Sequence, residues 1–409
     1  MWERLLETFL KTFTKKGQIN IDLPSGGRIV AGSGEPVVSV RITDPALIRR
    51  LCLNPELAVG EGYVDGRILI ENDDLYGFLT FVTENTGQAP ELPLWQAPLA
   101  VLRRWTRGLD QWNPVARSKS NVAHHYDLSG KLYDLFLDAD KQYSCAYWPE
   151  GVTTLDEAQA AKKAHIARKL LIEPGMRILD IGCGWGGMAL TLARDYGARV
   201  LGVTLSEEQF KIATQRARDA GLEDRVEFQL IDYRKVTGPF DRIVSVGMFE
   251  HVGVPQYRTF FGKVHDLLTE DGIALIHTIG RAAPPTYTSP WIEKYIFPGG
   301  YTPALSETMH AVEKEALVET DIEVWRLHYA YTLHQWHARF MARIDEAKAL
   351  YDERFTRMWR FYLIASELAF VQGHQVVFHL QLARRKDAVP ITRDYLYRDG
   401  PQPVAQAAE

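Results

Sequence analysis

The 409-residue sequence predicts an α/β, doubly wound domain preceded by a smaller α+β domain. Three observations carry this reading. From about Glu157 onward, short apolar runs alternate with amphipathic stretches of helical length. One of those runs ends in a glycine-rich turn that opens directly onto a helix. The first hundred residues follow another pattern, of short alternating segments separated by turn chemistry.

In the N-terminal part, Ile19–Leu23 and Val37–Ile42 alternate as strands do, and Pro24-Ser-Gly-Gly and Gly32-Ser-Gly-Glu-Pro supply the turns. Helices are predicted around Pro45–Leu53 and Asp74–Asn85. The polar, Gly- and Pro-containing stretch 107–120 reads as a linker between a domain at 1–106 and a main domain at 121–395, with a tail at 396–409. In the main domain, Asp156 is placed as the cap of a helix running to Leu171, with Glu173-Pro-Gly as its exit. Apolar strands follow at Arg177–Ile181, Arg199–Thr204, Val226–Ile231, Arg242–Val246 and Ile273–Ile279. Helices at Gly187–Tyr196, Glu207–Ala220 and Gln256–Leu268 separate them, which argues for a mainly parallel sheet. Trp359–Phe370 reads as a helix and Gln375–Leu382 as an antiparallel edge strand.

Composition narrows the function classes. A hydrophobic content of 46% and a charged content of 24% suit a soluble globular protein. No run of about 18 apolar residues predicts a transmembrane helix, and the mixed-charge start is not a signal peptide. Three cysteines without metal-ligand spacing fit a reducing cytoplasm and no disulfide framework. A net charge of −5 gives no general attraction to nucleic acid, so any membrane contact is local. The adjacent His124 and His125 lack an acidic cluster and are read as ordering residues; no metal is expected.

The most informative stretch is Ile178-Leu-Asp-Ile-Gly-Cys-Gly-Trp-Gly-Gly187. Gly182, Gly184 and Gly187 fit GxGxxG, where the turn needs positive φ and a ligand approaches the backbone. Two details favour S-adenosylmethionine over a dinucleotide. Asp180 stands just before the first glycine, where it can meet an ammonium group. Gly202-Val-Thr-Leu-Ser206 lacks the acid that would hold an NAD ribose. Further contacts are expected at the carboxyl ends of the next strands, from Thr204, Gln209, Asp232 and Tyr233. Asp232 can accept the adenine amino group, or merely cap its turn, and Tyr233 can stack on the ring. Trp185 is a donor contact or plain packing.

Longer motifs resemble the bacterial cyclopropane-fatty-acyl-phospholipid synthases. They are His125-Tyr-Asp-Leu-Ser, Tyr143-Ser-Cys-Ala-Tyr-Trp148, the glycine turn, Val244-Ser-Val-Gly-Met-Phe-Glu-His-Val-Gly253, His277-Thr-Ile-Gly280, Trp291-Ile-x-Lys-Tyr-Ile-Phe-Pro298 and Tyr329-x-x-Thr-Leu-x-x-Trp336. Gly60-Glu-Gly-Tyr-Val-Asp-Gly66 extends the likeness into the N-terminal region, which the related mycolic-acid-modifying enzymes lack. The resemblance implies a Rossmann-like class I SAM-dependent methyltransferase domain with a smaller N-terminal α+β domain. It implies methylene transfer to the cis double bond of unsaturated phospholipid acyl chains, with a bound bicarbonate as base. The bicarbonate ligands would be Cys145, Glu250, His277, the Ile279 backbone and Tyr329, and Tyr143 and Ser144 would touch adenosylmethionine. Where many relatives carry a cysteine near the C-terminus this chain has Ser366, which argues against an obligatory thiol nucleophile.

The chemistry suits these residue types. A cis alkene is a poor nucleophile, so positioning and water exclusion are the main levers. Methyl transfer leaves a carbocation, which a base must deprotonate before water adds. Aromatic walls stabilise that cation, and the segments 291–301 and 325–340 supply them or form ordinary core. Glu250 can accept the bicarbonate hydroxyl's hydrogen or fix the tautomer of His277; capping and core roles are the plain alternatives. Cys145 is given a lining role, and His251 a structural one. Leu102-Arg-Arg-Trp-Thr-Arg107 suits an interfacial contact or a solvated face. A cytoplasmic homodimer, peripheral at the inner membrane surface and acting on unsaturated phospholipid, is the expected setting. The sequence leaves open a lipid C-methyltransferase, a small-amine N-methyltransferase and a non-catalytic binding protein.

Overall fold

The alternating segments near the N-terminus pair into a four-stranded sheet. The computed structural model describes residues 1–86 and 130–397. Strands β1 (Gly17–Asp22), β2 (Arg28–Ser33), β3 (Val37–Ile42) and β4 (Ile68–Ile70) lie in the order β2-β1-β3-β4. β1 and β2 form an antiparallel hairpin, whereas β3 runs parallel to β1. β1 alternates buried and half-buried residues, as a sheet covered on one face requires. The helix Pro45–Leu53 has its predicted bounds; Asp44 caps it by accepting from Ala46 N–H at 2.8 Å. The second predicted helix spans Leu75–Thr86. Helices Trp2–Phe13 and Pro55–Val64 were not anticipated.

The compact unit around this sheet does not end with the first domain of the sequence. It also takes in Thr286–Pro298 and Leu333–His374. Gly60 explains part of this, because any Cβ there would collide with the Trp291 indole. Buried Glu61 pairs with Arg50, Lys294 (2.6 Å) and the Tyr295 hydroxyl (2.8 Å). Tyr76 donates to Glu367 at 2.9 Å, and Arg357 lies 4.1 Å from the Tyr63 ring centroid. Trp291, read as a candidate acyl-pocket wall, is buried in this unit with Phe361 at 4.6 Å. Such long-range packing carries no local sequence signal. The helix predicted at Trp359–Phe370 is longer, Glu353–Val371, and is half-buried at Ser366. The 107–120 linker, the Leu102–Arg107 segment and the His124-His125 pair lie outside the described residues.

In the other unit, β5 (Arg177–Ile181), β6 (Arg199–Thr204), β7 (Val226–Leu230), β8 (Phe240–Val246), β9 (Leu268–Arg281), β10 (Val318–Trp325) and β11 (Gln375–Ala383) form one sheet. Their order is β10-β11-β9-β8-β5-β6-β7. The chain leaves β5 to one side for β6 and β7 and returns to its other side for β8 and β9, all parallel. The switch point therefore opens at the carboxyl ends of β5 and β8. β11 is antiparallel as predicted, but it is not the edge, because β10 pairs on its outer side. The Glu319, Asp321 and Glu323 charges within β10 suit an edge strand and hid it from an apolar-run reading. The helix Leu155–Lys169 is capped by Thr154 in a capping box with Glu157, not by Asp156, which instead accepts from Ala139 N–H at 2.9 Å. Two apolar clusters pack the sheet, one around Phe249, Phe260 and Phe261, the other around Ile178, Leu192 and Phe228.

Candidate active site

The β5 run ends in buried Asp180, and the chain then turns through Gly182, Gly184 and Gly186, with φ of +81°, +54° and +84°. Side chains are disfavoured there by backbone geometry. At Gly187 a Cβ would meet the Asp140 carboxylate and the Gln142 amide. The helix Gly187–Tyr196 starts at once. One cavity opens over this turn, lined by Asp180, Gly182, Gly184 and Trp185. Thr204 and Gln209 line it from the exit of β6, Asp232 and Tyr233 from the exit of β7, and Tyr143 and Ser144 from the segment preceding the sheet.

Asp180 is the electrostatic centre of the cavity. Burial pushes its carboxyl up to about 7, and its Oδ2 has no hydrogen-bond partner among the described residues. A cationic ligand group would satisfy it. The glycine turn and this orphaned oxygen fit the amino-acid end of adenosylmethionine. Thr204 donates to Gln209 Oε1 at 3.0 Å. Asp232 does cap its turn: Arg234 N–H donates at 3.0 Å and the Arg234 guanidinium at 2.6 Å. Burial would raise this carboxyl, but Arg234 holds it below the usual range. A carboxylate has about four acceptor positions, so capping leaves room for a ligand's amino group. Burial raises the Tyr233 hydroxyl. Trp185 packs 5.0 Å from the Tyr133 ring, and Arg216 holds its carbonyl at 2.8 Å while pairing with Asp140.

The residues expected around a base lie just beyond this lining. Glu250 stands on the 3-10 turn Phe249–His251 after β8, between cavity-lining Met248 and His251. Its Oε1 accepts the Ile279 N–H at 2.6 Å, whereas Oε2 is buried with no partner among the described residues. Burial pushes the carboxyl up to about 7. His251 is held down to about 4 by burial. His277 sits in β9 beside Val246 of β8, and its Nδ1 meets His379 Nε2 at 2.7 Å. Burial drives His277 far below its ordinary value, so the ring is neutral. Cys145 is fully buried, its thiol pushed up, which suits lining and not attack. Its neighbour Ala146 donates to Thr332 Oγ at 3.0 Å, one turn along the helix His328–Ala342 from buried Tyr329.

Two expectations need correction. The Ile279 N–H is committed to Glu250 and is not a free donor for an ion. Of the two roles open to Glu250, fixing the tautomer of His277 through Nδ1 falls to His379 instead, which leaves Glu250 the role of acceptor. Sequence reasoning also missed Lys162. This fully buried ammonium donates to Ser144 Oγ at 2.7 Å and Gln142 Oε1 at 2.9 Å, and burial lowers it to about 8. On a helix rich in charge it reads as a surface lysine, and only tertiary packing buries it.

A sequence model of the family described as mycolic acid cyclopropane synthetase matches residues 114–380. The chain belongs to that family. It is 39% identical over 356 residues to the cyclopropane-fatty-acyl-phospholipid synthase of Escherichia coli K12, covering 85% of this chain and 90% of that one. It is 35% identical over 389 residues to a probable fatty acid methyltransferase of Pseudomonas putida, covering 89% and 92%. The solved mycolic acid cyclopropane synthase CmaA1, complexed with SAH and CTAB, superposes with a TM-score of 0.62 at 34% identity, over 67% of this chain and 99% of that one. The seven-stranded domain is thus the Rossmann-like fold of class I methyltransferases, and this family member is an S-adenosylmethionine-dependent methyltransferase of the cyclopropane-synthase type.

Proposed function

We propose that the enzyme closes a cyclopropane ring across the cis double bond of an unsaturated phospholipid acyl chain. The observation that carries this is Glu250: a buried carboxylate with one unpartnered oxygen, poised near neutrality beside the donor cavity. Bound adenosylmethionine supplies an electrophilic methyl group. Asp180 would hold its ammonium, Tyr143 and Ser144 its flank, and Thr204, Gln209, Asp232 and Tyr233 its nucleoside end.

Once the alkene carbon has taken the methyl group, a proton must leave that new methyl so that its electron pair forms the third ring bond. Burial around Glu250, His277 and Cys145 keeps water from adding to the cation first. Glu250 Oε2 and neutral His277 are acceptors, and Tyr329 is a buried hydroxyl beside the helix turn that bears Thr332. Bicarbonate, when bound, would supply a base carrying one O–H. Buried Lys162, and an unpaired Glu250 oxygen able to accept that O–H, suit such an ion, although the Ile279 N–H is already used. We read the enzyme as working at the cytoplasmic face of the inner membrane, where such acyl chains lie, and the family resemblance is what suggests a homodimer. Among the described residues, no helix is long and apolar enough to cross a membrane.

The likeness to a probable fatty acid methyltransferase favours a second reading, in which the same donor and cation give a methylated chain. Purified protein incubated with adenosylmethionine and unsaturated phospholipid vesicles distinguishes the two. Mass spectrometry should show a gain of one CH₂, with loss of the alkene signal in NMR. Retention of an alkene would overturn ring closure in favour of C-methylation. No product despite donor binding would overturn both.

A further inference from the structure

β9 and β11 place His277 and His379 directly opposite each other, and their rings meet through His277 Nδ1 and His379 Nε2 at 2.7 Å. Both rings are neutral, since burial drives each far below its ordinary value. One hydrogen lies between the two nitrogens, so one ring donates and the other accepts. That choice decides which nitrogen of His277 is bare.

The surroundings of His379 make the choice. Its Nδ1 has no hydrogen-bond partner among the described residues and lies 4.0 Å from Glu323 Oε2. Burial would raise the Glu323 carboxyl, but His165 at 2.8 Å and Lys169 at 2.6 Å bring it down to about 2. An ionised carboxylate facing an imidazole nitrogen favours N–H there over a lone pair. With its hydrogen on Nδ1, neutral His379 presents a lone pair at Nε2. His277 must then donate from Nδ1, and its Nε2 is left bare. The Trp325 ring covers His379 at a centroid distance of 3.9 Å and holds it in this orientation.

We propose that Glu323 and His379 are positioning residues that hold His277 as the tautomer with a bare Nε2, so that the base site contains an acceptor at that nitrogen. The inference rests on the place given to His277 in the base set above. As the proton leaves the new methyl carbon, the C–H electron pair becomes the last C–C bond of the ring. The proton is taken up at Nε2, directly or through the O–H of a bound base. The positive charge on His277 is shared with His379 across the 2.7 Å contact and opposed by Glu323. Lys169 keeps Glu323 ionised and itself pairs with Asp321 at 2.8 Å.

His165, Glu323 and His379 also have ligand atoms within 4.8 Å of one another, a spacing that could hold a cation. The Lys169 ammonium already supplies the positive charge at Glu323, which favours the hydrogen-bonded reading. The test uses full-length protein labelled with ¹⁵N-histidine, without ligands, read by long-range ¹H–¹⁵N correlation in wild type and in Glu323→Gln, a nearly isosteric change. His277 should carry hydrogen on Nδ1 in the wild type and become a mixture in Glu323→Gln. Turnover should fall about 10–100-fold in Glu323→Gln and in His379→Leu, by analogy with the outer-shell partners that orient metal-bound histidines. Adenosylmethionine affinity should stay within about two-fold.

Hydrogen on Nε2 of His277 in the wild type would overturn the proposal, as would Glu323→Gln with unchanged tautomer and rate. So would a stoichiometric transition metal in the purified protein that is lost in His165→Ala. The tautomer is read without turnover. A wild type with the expected tautomer that forms no ring therefore breaks the proposed function alone, and ring formation with the opposite tautomer breaks this inference alone.

Discussion

The donor cavity and the base cluster adjoin at the carboxyl ends of the same sheet, yet they are made in opposite ways. The cavity is shaped by backbone: a glycine turn with positive φ, a helix start, and residues at successive strand exits. The base cluster is made of buried titratable side chains whose properties come from neighbours far along the chain. Ile279 reaches Glu250 across 29 residues, His277 reaches His379 across 102, and Ala146 reaches Thr332 across 186. Binding a donor needs shape and one buried carboxyl, Asp180, that a cationic group can satisfy. Moving a proton needs groups whose ionisation is set by burial, and burial is a tertiary property.

The largest effect that would sharpen this contrast is expected from Glu250→Gln. Turnover should drop about 10²–10⁴-fold, as for loss of a general base, while calorimetry finds donor binding within about two-fold of wild type. A mutant that turns over normally would take Glu250 out of the chemistry and merge the two halves into one binding site.

Asp180→Asn should do the reverse. Donor affinity should weaken about 10–100-fold through loss of a charge-assisted hydrogen bond, with kcat at saturating donor little changed. The same variant should alter pH dependence. Burial raises Asp180 to about 7, above its unfolded value, so the ionised carboxylate destabilises the ligand-free fold above that pH. The cost shrinks as pH falls toward the unfolded value and disappears below it. Thermal melts of ligand-free protein should show Asp180→Asn more stable than wild type at pH 8, with the gain smaller at pH 5. A gain that does not change with pH would mean that Asp180 is not held in this state.

Gly187→Ala tests the backbone half directly. The new Cβ must displace Asp140 or Gln142, and should cost about 1–3 kcal/mol in chemical denaturation along with donor affinity. Unchanged affinity would show that the turn tolerates displacement. The smallest effect is expected at Thr154, which caps the helix bearing Lys162 and touches neither half. Thr154→Ala should lose about 1 kcal/mol of stability with kcat and donor affinity intact. A fall in kcat would mean that the helix end helps to set Lys162.

What could be read from the sequence follows the same division. β5 and β6 and the helix Gly187–Tyr196 have their predicted bounds, and all ten residues named as donor contacts line one cavity. Eight of them belong to short segments whose turn chemistry and position after a strand speak for themselves, whereas Tyr143 and Ser144 came from the resemblance. Residues 145, 250, 277, 279 and 329 came from resemblance, which supplies positions but not partners. Hence the resemblance names the Ile279 backbone without showing that its N–H goes to Glu250, and it is silent on His379 and Lys162. β10 was missed because its charges mask its strand character, and β11 was misplaced at the edge for the same reason.

The unit around the N-terminal sheet has a consequence during synthesis. Gly60 and Glu61 close on Trp291, Lys294 and Tyr295, and Tyr76 on Glu367. A ribosome adding about 5–20 residues each second takes roughly 15–60 s to travel from the fourth helix to the segment that bears Glu367. During that interval the emerging first sheet has no partner for those surfaces. The unit is therefore complete only once its late helices have been made, and truncation before residue 374 should leave it insoluble even though its four strands are complete.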